Sequence, residues 1–210
     1  GEQVVVFEPF YENYGPDAIL AGASPIYVSL NPNQGWSFDF QQLENKLQEA
    51  QNQGGVRALI LNNPNNPSGK VFSKDELSRL ADLAQEYDFY VIADEIYEHI
   101  IYDEKCHVPI ALLPGMRDRT VTISGLSKTF SVTGWRVGYI VAPEDLTDAI
   151  RKVHDFLTVG AAAPLQEAGA KAMQLGRDYY AQLSSEYQHR RDFLAAPLKE
   201  AGFDIWIPSG

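Results

Sequence analysis

Val56-Arg57-Ala58-Leu59-Ile60-Leu61, an Asn/Pro-rich run from Asn62 to Gly69, Ser73-Lys74-Asp75-Glu76, and Phe89-Tyr90-Val91-Ile92-Ala93 together decide the fold. The first and last are short apolar runs rich in β-branched residues, which reads as buried strands. Ser73 and Glu76 stand in the spacing of a capping box, in which each side chain satisfies a free backbone N–H of the other's turn. Leu77, Leu80, Ala81, Ala84 and Tyr87 then fall at helical spacing. Strand, loop, helix and strand in that order make a βαβ unit, and such a unit implies parallel strands.

The same alternation extends in both directions. Val4–Phe7 reads as a strand that Pro9 ends, and Pro16 opens a helical stretch that Gly22 stops. Ile26–Val28 is a second strand. Asp39 caps a helix carrying Leu43, Leu47 and Ala50, with Gly54-Gly55 as its stop. Val121–Ser124 and Val137–Val141 are two further strands. Only Gly125 to Arg136 separates them, which is short for a helical crossover and predicts an antiparallel last strand. After Pro143 the pattern turns helical: Leu146, Ala149, Ile150, Val153 and Leu157 share one face, and further helices run from Pro164 to Leu175 and from Arg177 toward Lys199. Phe203–Ile207 reads as one more strand. The expected architecture is α/β, a mostly parallel sheet with helices on both faces. The composition shift divides it into a sheet domain, residues 1–143, and a helical connector leading into a smaller domain, residues 144–210.

Composition narrows the function classes. The 210 residues are 45% hydrophobic and 11% aromatic, too apolar for a disordered chain. With 17 Lys+Arg against 28 Asp+Glu the net charge is −11, which disfavours a nucleic-acid partner because phosphate would be repelled. Cys106 is alone and cannot form an internal disulfide, which fits a reducing, cytoplasmic setting. No apolar run approaches the ~20 residues of a membrane span.

In an open α/β sheet, ligands sit beyond the carboxyl ends of the strands. There the sequence places Pro9-Phe10-Tyr11, the Asn62–Gly69 loop, Asp94 with Glu95 and Tyr97, and Gly125-Leu126-Ser127-Lys128, with Arg136 at the start of the last strand. Taken singly, each has an ordinary reading: Asn/Pro/Gly loops are mostly turns, and a lone Lys or Arg is mostly a solvated charge. Their convergence on one sheet edge is what those readings leave unexplained. Rival motifs fail on spacing. A P-loop ending at Ser68-Gly69-Lys70 needs glycine where Pro64 stands, and a Ser-x-x-Lys nucleophile needs serine where Gly125 stands. The four histidines are scattered and there is no paired Cys, so no zinc-binding pattern is present.

Gly125-Leu126-Ser127-Lys128-Thr129-Phe130-Ser131-Val132-Thr133-Gly134-Trp135-Arg136-Val137-Gly138 resembles the cofactor-lysine signature of the class I/II aminotransferases, fold-type I enzymes dependent on pyridoxal phosphate. Asn63–Gly69 is similar to the family's Asn-Pro-x-Asn-Pro-Thr-Gly loop with Ser68 for Thr. Ala93–Tyr97 resembles its Asp-Glu-x-Tyr strand end, and Glu8–Tyr14 its aromatic-plate segment. The motifs keep the family's order across essentially the whole chain.

The resemblance implies a role for each residue. Lys128 would form the aldimine with the cofactor aldehyde and serve as the proton carrier. Asp94 would pair with the pyridine nitrogen, Asn66 and Tyr97 would hold the ring's phenolic oxygen, and Tyr11 would stack on the ring. Arg136 would grip the phosphate in fork geometry. The hydroxyl contact to phosphate comes from Ser127, from Ser124, or is absent, because Gly125 stands where many relatives have serine. Asn63 and Glu95 are expected to be structural, Trp135 to be packing, and the histidines have no motif support. The implied activity is transfer of an amino group from an α-amino acid to a 2-oxo acid, by a homodimer. A β-lyase, an aminocyclopropane-carboxylate-synthase-like enzyme or a truncated, non-catalytic cofactor-binding module is the alternative. The family's phosphate-cradling loop lies upstream of such a start and its carboxylate-binding arginine downstream of such an end, so the chain is expected to be a central portion of a longer enzyme.

Overall fold

The computed structural model describes residues 1–210. Six strands form one sheet: β1 (Gln3–Glu8), β2 (Ser24–Ser29), β3 (Val56–Asn62), β4 (Tyr90–Asp94), β5 (Thr120–Gly125) and β6 (Gly138–Val141). Their order is β2-β1-β3-β4-β5-β6. The first four pairings are parallel and β5–β6 is antiparallel, as the short connection requires. The carboxyl ends of β1, β3, β4 and β5 therefore meet the amino end of β6 at one edge. Gly125 lies opposite Gly138 there, and a Cβ on Gly125 would sit 3.0 Å from the Val137 carbonyl, a tight approach that glycine makes without any adjustment.

Seven α-helices accompany the sheet: α1 (Tyr14–Leu20), α2 (Phe40–Gln51), α3 (Lys74–Glu86), the single turn α4 (Leu126–Thr129), α5 (Glu144–Leu157), α6 (Ala163–Ala172) and α7 (Arg177–Glu200). Asp39 caps α2 through the N–H groups of Gln41 and Gln42, and the Ser73–Glu76 capping box of α3 is fully formed. The apolar faces of α2 and α3 (Leu43, Leu47, Leu77, Leu80) join Val5, Leu59, Leu61, Val91 and an aromatic group of Phe7, Phe38 and Phe72 in one core. No helix is long and apolar enough to cross a membrane.

One element differs from expectation. Phe203–Ile207 is not a strand. It has the composition of one but no neighbouring strand to pair with, and an unpaired strand is not stable in water. The tail is instead fastened at its end: Ser209 and Gly210 donate to the Gly69 carbonyl at 2.9 and 3.1 Å, and Tyr102 N–H donates to Ser209 O at 2.8 Å. Gly69 has φ +64°, and a Cβ there would meet Pro208 at 2.3 Å, so both conformation and space require glycine.

Candidate active site

Asp94 ends β4 at the centre of the sheet edge, paired in register with Asn62 of β3 and Ile123 of β5. Its carboxylate is held twice: Oδ1 accepts from Ile96 N–H at 3.1 Å, and Oδ2 accepts from the Tyr14 hydroxyl at 2.6 Å. Tyr14 comes from the first turn of α1, and burial, then the Asp94 charge, then this hydrogen bond push its phenol well above the ordinary value, so it stays a donor. Two fixed donors leave part of the carboxylate's acceptor capacity free for a further proton-bearing group.

The loop beyond β3 is folded on the same strand end. Asn63 N–H and Asn62 Nδ2 both donate to the Asp94 carbonyl, at 3.0 and 3.1 Å, and Asn62 Oδ1 accepts from Asn66 N–H at 2.7 Å. The bonds Asn63–Pro64 and Asn66–Pro67 are both cis. The loop carries Asn66 to Tyr97. The Tyr97 phenol is raised by burial and by Asp94, an effect that the Asn66 side chain opposes. Behind its ring lies a small second core of Ile100, Tyr102 and Leu183 of α7.

Lys128 projects from α4, and its Nζ lies 5.8 Å from the centre of the Tyr97 ring. Tyr11 is 42% exposed and meets Tyr14 edge to face at 5.8 Å, leaving the rest of its ring open to the edge. Tyr11, Asp94, Asn66, Tyr97 and Lys128 are thus brought together. Ser127 and Arg136 form a separate group around Thr133: its hydroxyl donates to Ser127 O at 3.1 Å, and Arg136 Nη1 donates to Thr133 O at 3.1 Å. Arg136 is exposed and has φ +54°, a left-handed conformation costing a non-glycine residue ~1–2 kcal/mol. Ser124 is committed elsewhere, donating to Glu98 Oε1 at 2.9 Å. Trp135 is 39% exposed rather than packed in a core.

Two residues escaped the sequence reading. Tyr14 lay inside the quoted aromatic segment, three residues after Tyr11, but nothing in the sequence says that a phenol on α1 reaches a carboxylate on β4. His107 stands alone in sequence, yet its Nε2 lies 2.9 Å from the buried Glu95 carboxylate.

A carboxylate with spare acceptor capacity, an amide–phenol pair, an amine and an open aromatic plate, with a guanidinium and a hydroxyl alongside, suit a flat aromatic cofactor carrying a phosphate. Comparison with known proteins agrees. The model of the family described as aminotransferase class I and II matches residues 1–210, and the chain belongs to that family, whose members depend on pyridoxal phosphate. It is 35% identical over 227 aligned positions to kynurenine–oxoglutarate transaminase 1 of Homo sapiens, covering 100% of this chain and 53% of that protein. It is 38% identical over 206 positions to the probable N-succinyldiaminopimelate aminotransferase of Mycobacterium tuberculosis, covering 98% and 51%. The solved N-succinyldiaminopimelate aminotransferase of Mycobacterium tuberculosis superposes with a TM-score of 0.94 at 37% identity, over 100% of this chain and 54% of that one. The aromatic aminotransferase of Pyrococcus horikoshii superposes at 0.92 with 36% identity, over 100% and 55%. The chain spans about half the length of the curated relatives it matches.

Proposed function

We propose that the protein is a pyridoxal-phosphate-dependent aminotransferase that moves an amino group from an α-amino acid to a 2-oxo acid. The observation that carries this reading is the placement of Lys128 and Asp94 about one shared partner, Tyr97, with Asp94 clamped by Tyr14 and Ile96. Bound at this edge, the cofactor supplies an aldehyde carbon for the amino group and a ring that accepts the electron pair left when the α-proton departs.

The chain's own residues do the rest. Asp94 holds a proton on the ring nitrogen, and the Tyr14 and Ile96 bonds keep its carboxylate from turning away. Asn66 and Tyr97 would hold the ring's phenolic oxygen as donors, and Tyr11 would offer its open aromatic face to the ring. Arg136 and Ser127 take the phosphate, with Thr133 setting their spacing. Lys128 Nζ takes the proton from the substrate Cα, and an amine does so only while uncharged. We take residues 1–143 as cofactor-binding sheet domain and 144–210 as the connector to a smaller domain. A cytoplasmic homodimer is the setting that accords with this reading.

The test is spectroscopic and chemical. The full-length protein with pyridoxal phosphate is expected to show a visible absorption band that Lys128→Ala abolishes, and to need a 2-oxo acid for turnover. An unchanged band in the variant removes Lys128 from the site. Release of ammonia and pyruvate without an oxo-acid acceptor would make the enzyme a lyase.

A further inference from the structure

Beneath the strand ends a histidine ties together the two loops that carry the cofactor-facing groups. His107 belongs to neither loop; it lies in the connection between β4 and β5, just before Val108, which packs against the main core. Its Nε2 is 2.9 Å from Glu95 Oε2, and its Nδ1 is 3.5 Å from Asn63 Nδ2. The imidazole is 9% exposed and the Glu95 side chain 4%. Asn63 cannot turn its amide over, because Oδ1 accepts from Phe72 N–H at 3.0 Å. Its NH2 therefore faces the ring, Nδ1 accepts, and the Nε2–H donates to Glu95. Glu98 is the other carboxylate close by, and it has its own donors, Ser124 Oγ at 2.9 Å and the Tyr139 hydroxyl at 3.2 Å.

The position of this bridge gives it a consequence for the site. Glu95 directly follows Asp94 and lies two residues before Tyr97, while Asn63 lies three before Asn66. We propose that His107 is a positioning residue: by joining Glu95 to Asn63 it sets the distance between the loop bearing Asp94 and Tyr97 and the loop bearing Asn66. The bonds from Asn63 N–H and the Asn62 side chain to the Asp94 carbonyl fasten the near ends of these loops, and the His107 bridge fastens their underside. The inference rests on the reading of Asn66 and Tyr97 as the groups that hold the ring's phenolic oxygen. Without the bridge their hydrogen bonds to that oxygen lengthen together, and less of its charged form is stabilised.

The experiment uses the full-length protein and pyridoxal phosphate itself. Cofactor affinity is measured by fluorescence titration, and the pH midpoint of the bound cofactor's visible band by absorbance. His107→Phe keeps the bulk but leaves the buried Glu95 carboxylate without its donor. It is expected to weaken cofactor binding about tenfold and to raise the band midpoint by about half a pH unit. His107→Gln keeps a donor for Glu95 and is expected to lose only about threefold. Leu47→Ala, in the core away from the edge, is expected to lower the melting temperature without moving the midpoint. Wild-type affinity and midpoint in either histidine variant overturn the proposal, as does a midpoint shift in Leu47→Ala equal to that of His107→Phe. If His107→Phe does not fold, His107→Gln decides alone on the same criterion. A wild-type protein that binds no cofactor defeats the functional reading itself, and the proposal with it.

Discussion

The sheet half and the helical half of this chain are built on the same amphipathic patterns and end in opposite states. Every buried apolar side chain but Leu183 lies between Val5 and Leu126. In α5 the apolar stripe is at least as regular as that of α3, yet no residue of α5 is buried, and Val153, Phe156 and Leu157 are 59, 94 and 76% exposed. The helical half is held by specific contacts, among them Tyr179 hydroxyl to Thr129 O at 2.7 Å, Gly169 packed on Leu126, Leu183 on Ile100 and Tyr102, and the Arg191–Asp103 pair. Between β6, α5 and α6 lies an open groove of about 1080 Å³ lined by Leu126, Tyr139, Ile150 and Met173 among others. The lesson is that periodicity announces a face that wants covering, while burial depends on what the rest of the chain brings to it.

The largest expected effect tests that contrast directly. Phe72 is 1% exposed and packs on Phe7 and Phe38. Phe72→Ala should cost ~3–5 kcal/mol in denaturant unfolding, while Val153→Ala should cost under ~0.5 kcal/mol. A loss of more than ~1 kcal/mol for Val153→Ala would mean that the α5 face is covered in solution, and the contrast between the halves would fail.

How far the sequence was legible follows the same division. The βαβ units, the capping box at Ser73 and the antiparallel β6 could be read because each depends on local spacing or connection length. The strand expected at Phe203–Ile207 could not be judged locally, because a strand exists only with a partner. At the site, Lys128, Asp94, Asn66, Tyr97 and Tyr11 could be placed at one edge because parallel strands gather their carboxyl ends. Tyr14 and His107 were invisible because their partners, Asp94 and Glu95, lie 80 and 12 residues away in sequence.

Tyr14 supplies an intermediate effect, one on the firmly packed half. Tyr14→Phe removes a donor from Asp94 and should cost ~1–3 kcal/mol near neutral pH. Its pH dependence has a definite sign. The folded phenol is raised above its unfolded value of ~10, so the stability it contributes is complete below that value and is lost as pH rises beyond it. Denaturant midpoints measured from pH 9 to 11 should fall less steeply in Tyr14→Phe than in the parent. Equal slopes would mean that the Tyr14–Asp94 bond is not made in solution.

The smallest effect concerns the latch on the loosely packed half. Arg191 reaches Asp103 with both terminal nitrogens, donating from Nη2 to Asp103 Oδ1 at 2.8 Å, and also donates to the Pro208 carbonyl at 2.9 Å. The Asp103 side chain is 45% exposed, so water screens the pair and Arg191→Ala should cost at most ~1 kcal/mol of global stability. The local effect should be clearer than the global one. The amides of Ser209 and Gly210, which donate to Gly69 O, should exchange with solvent several-fold faster in the variant, because the tail loses its side-chain anchor and keeps only backbone bonds. The Arg191 hydrogen bonds hold the Asp103 carboxyl below the usual carboxylate range, so the latch is whole above ~3.9 and lost as pH falls through that lowered value. Acidification should therefore bring the parent's exchange at these two amides toward that of Arg191→Ala, once corrected for the intrinsic pH dependence of exchange. If the two proteins exchange alike at neutral pH, the tail is held by Gly69 and Tyr102 alone, and its attachment to the Asn62–Gly69 loop runs through backbone contacts rather than through charge.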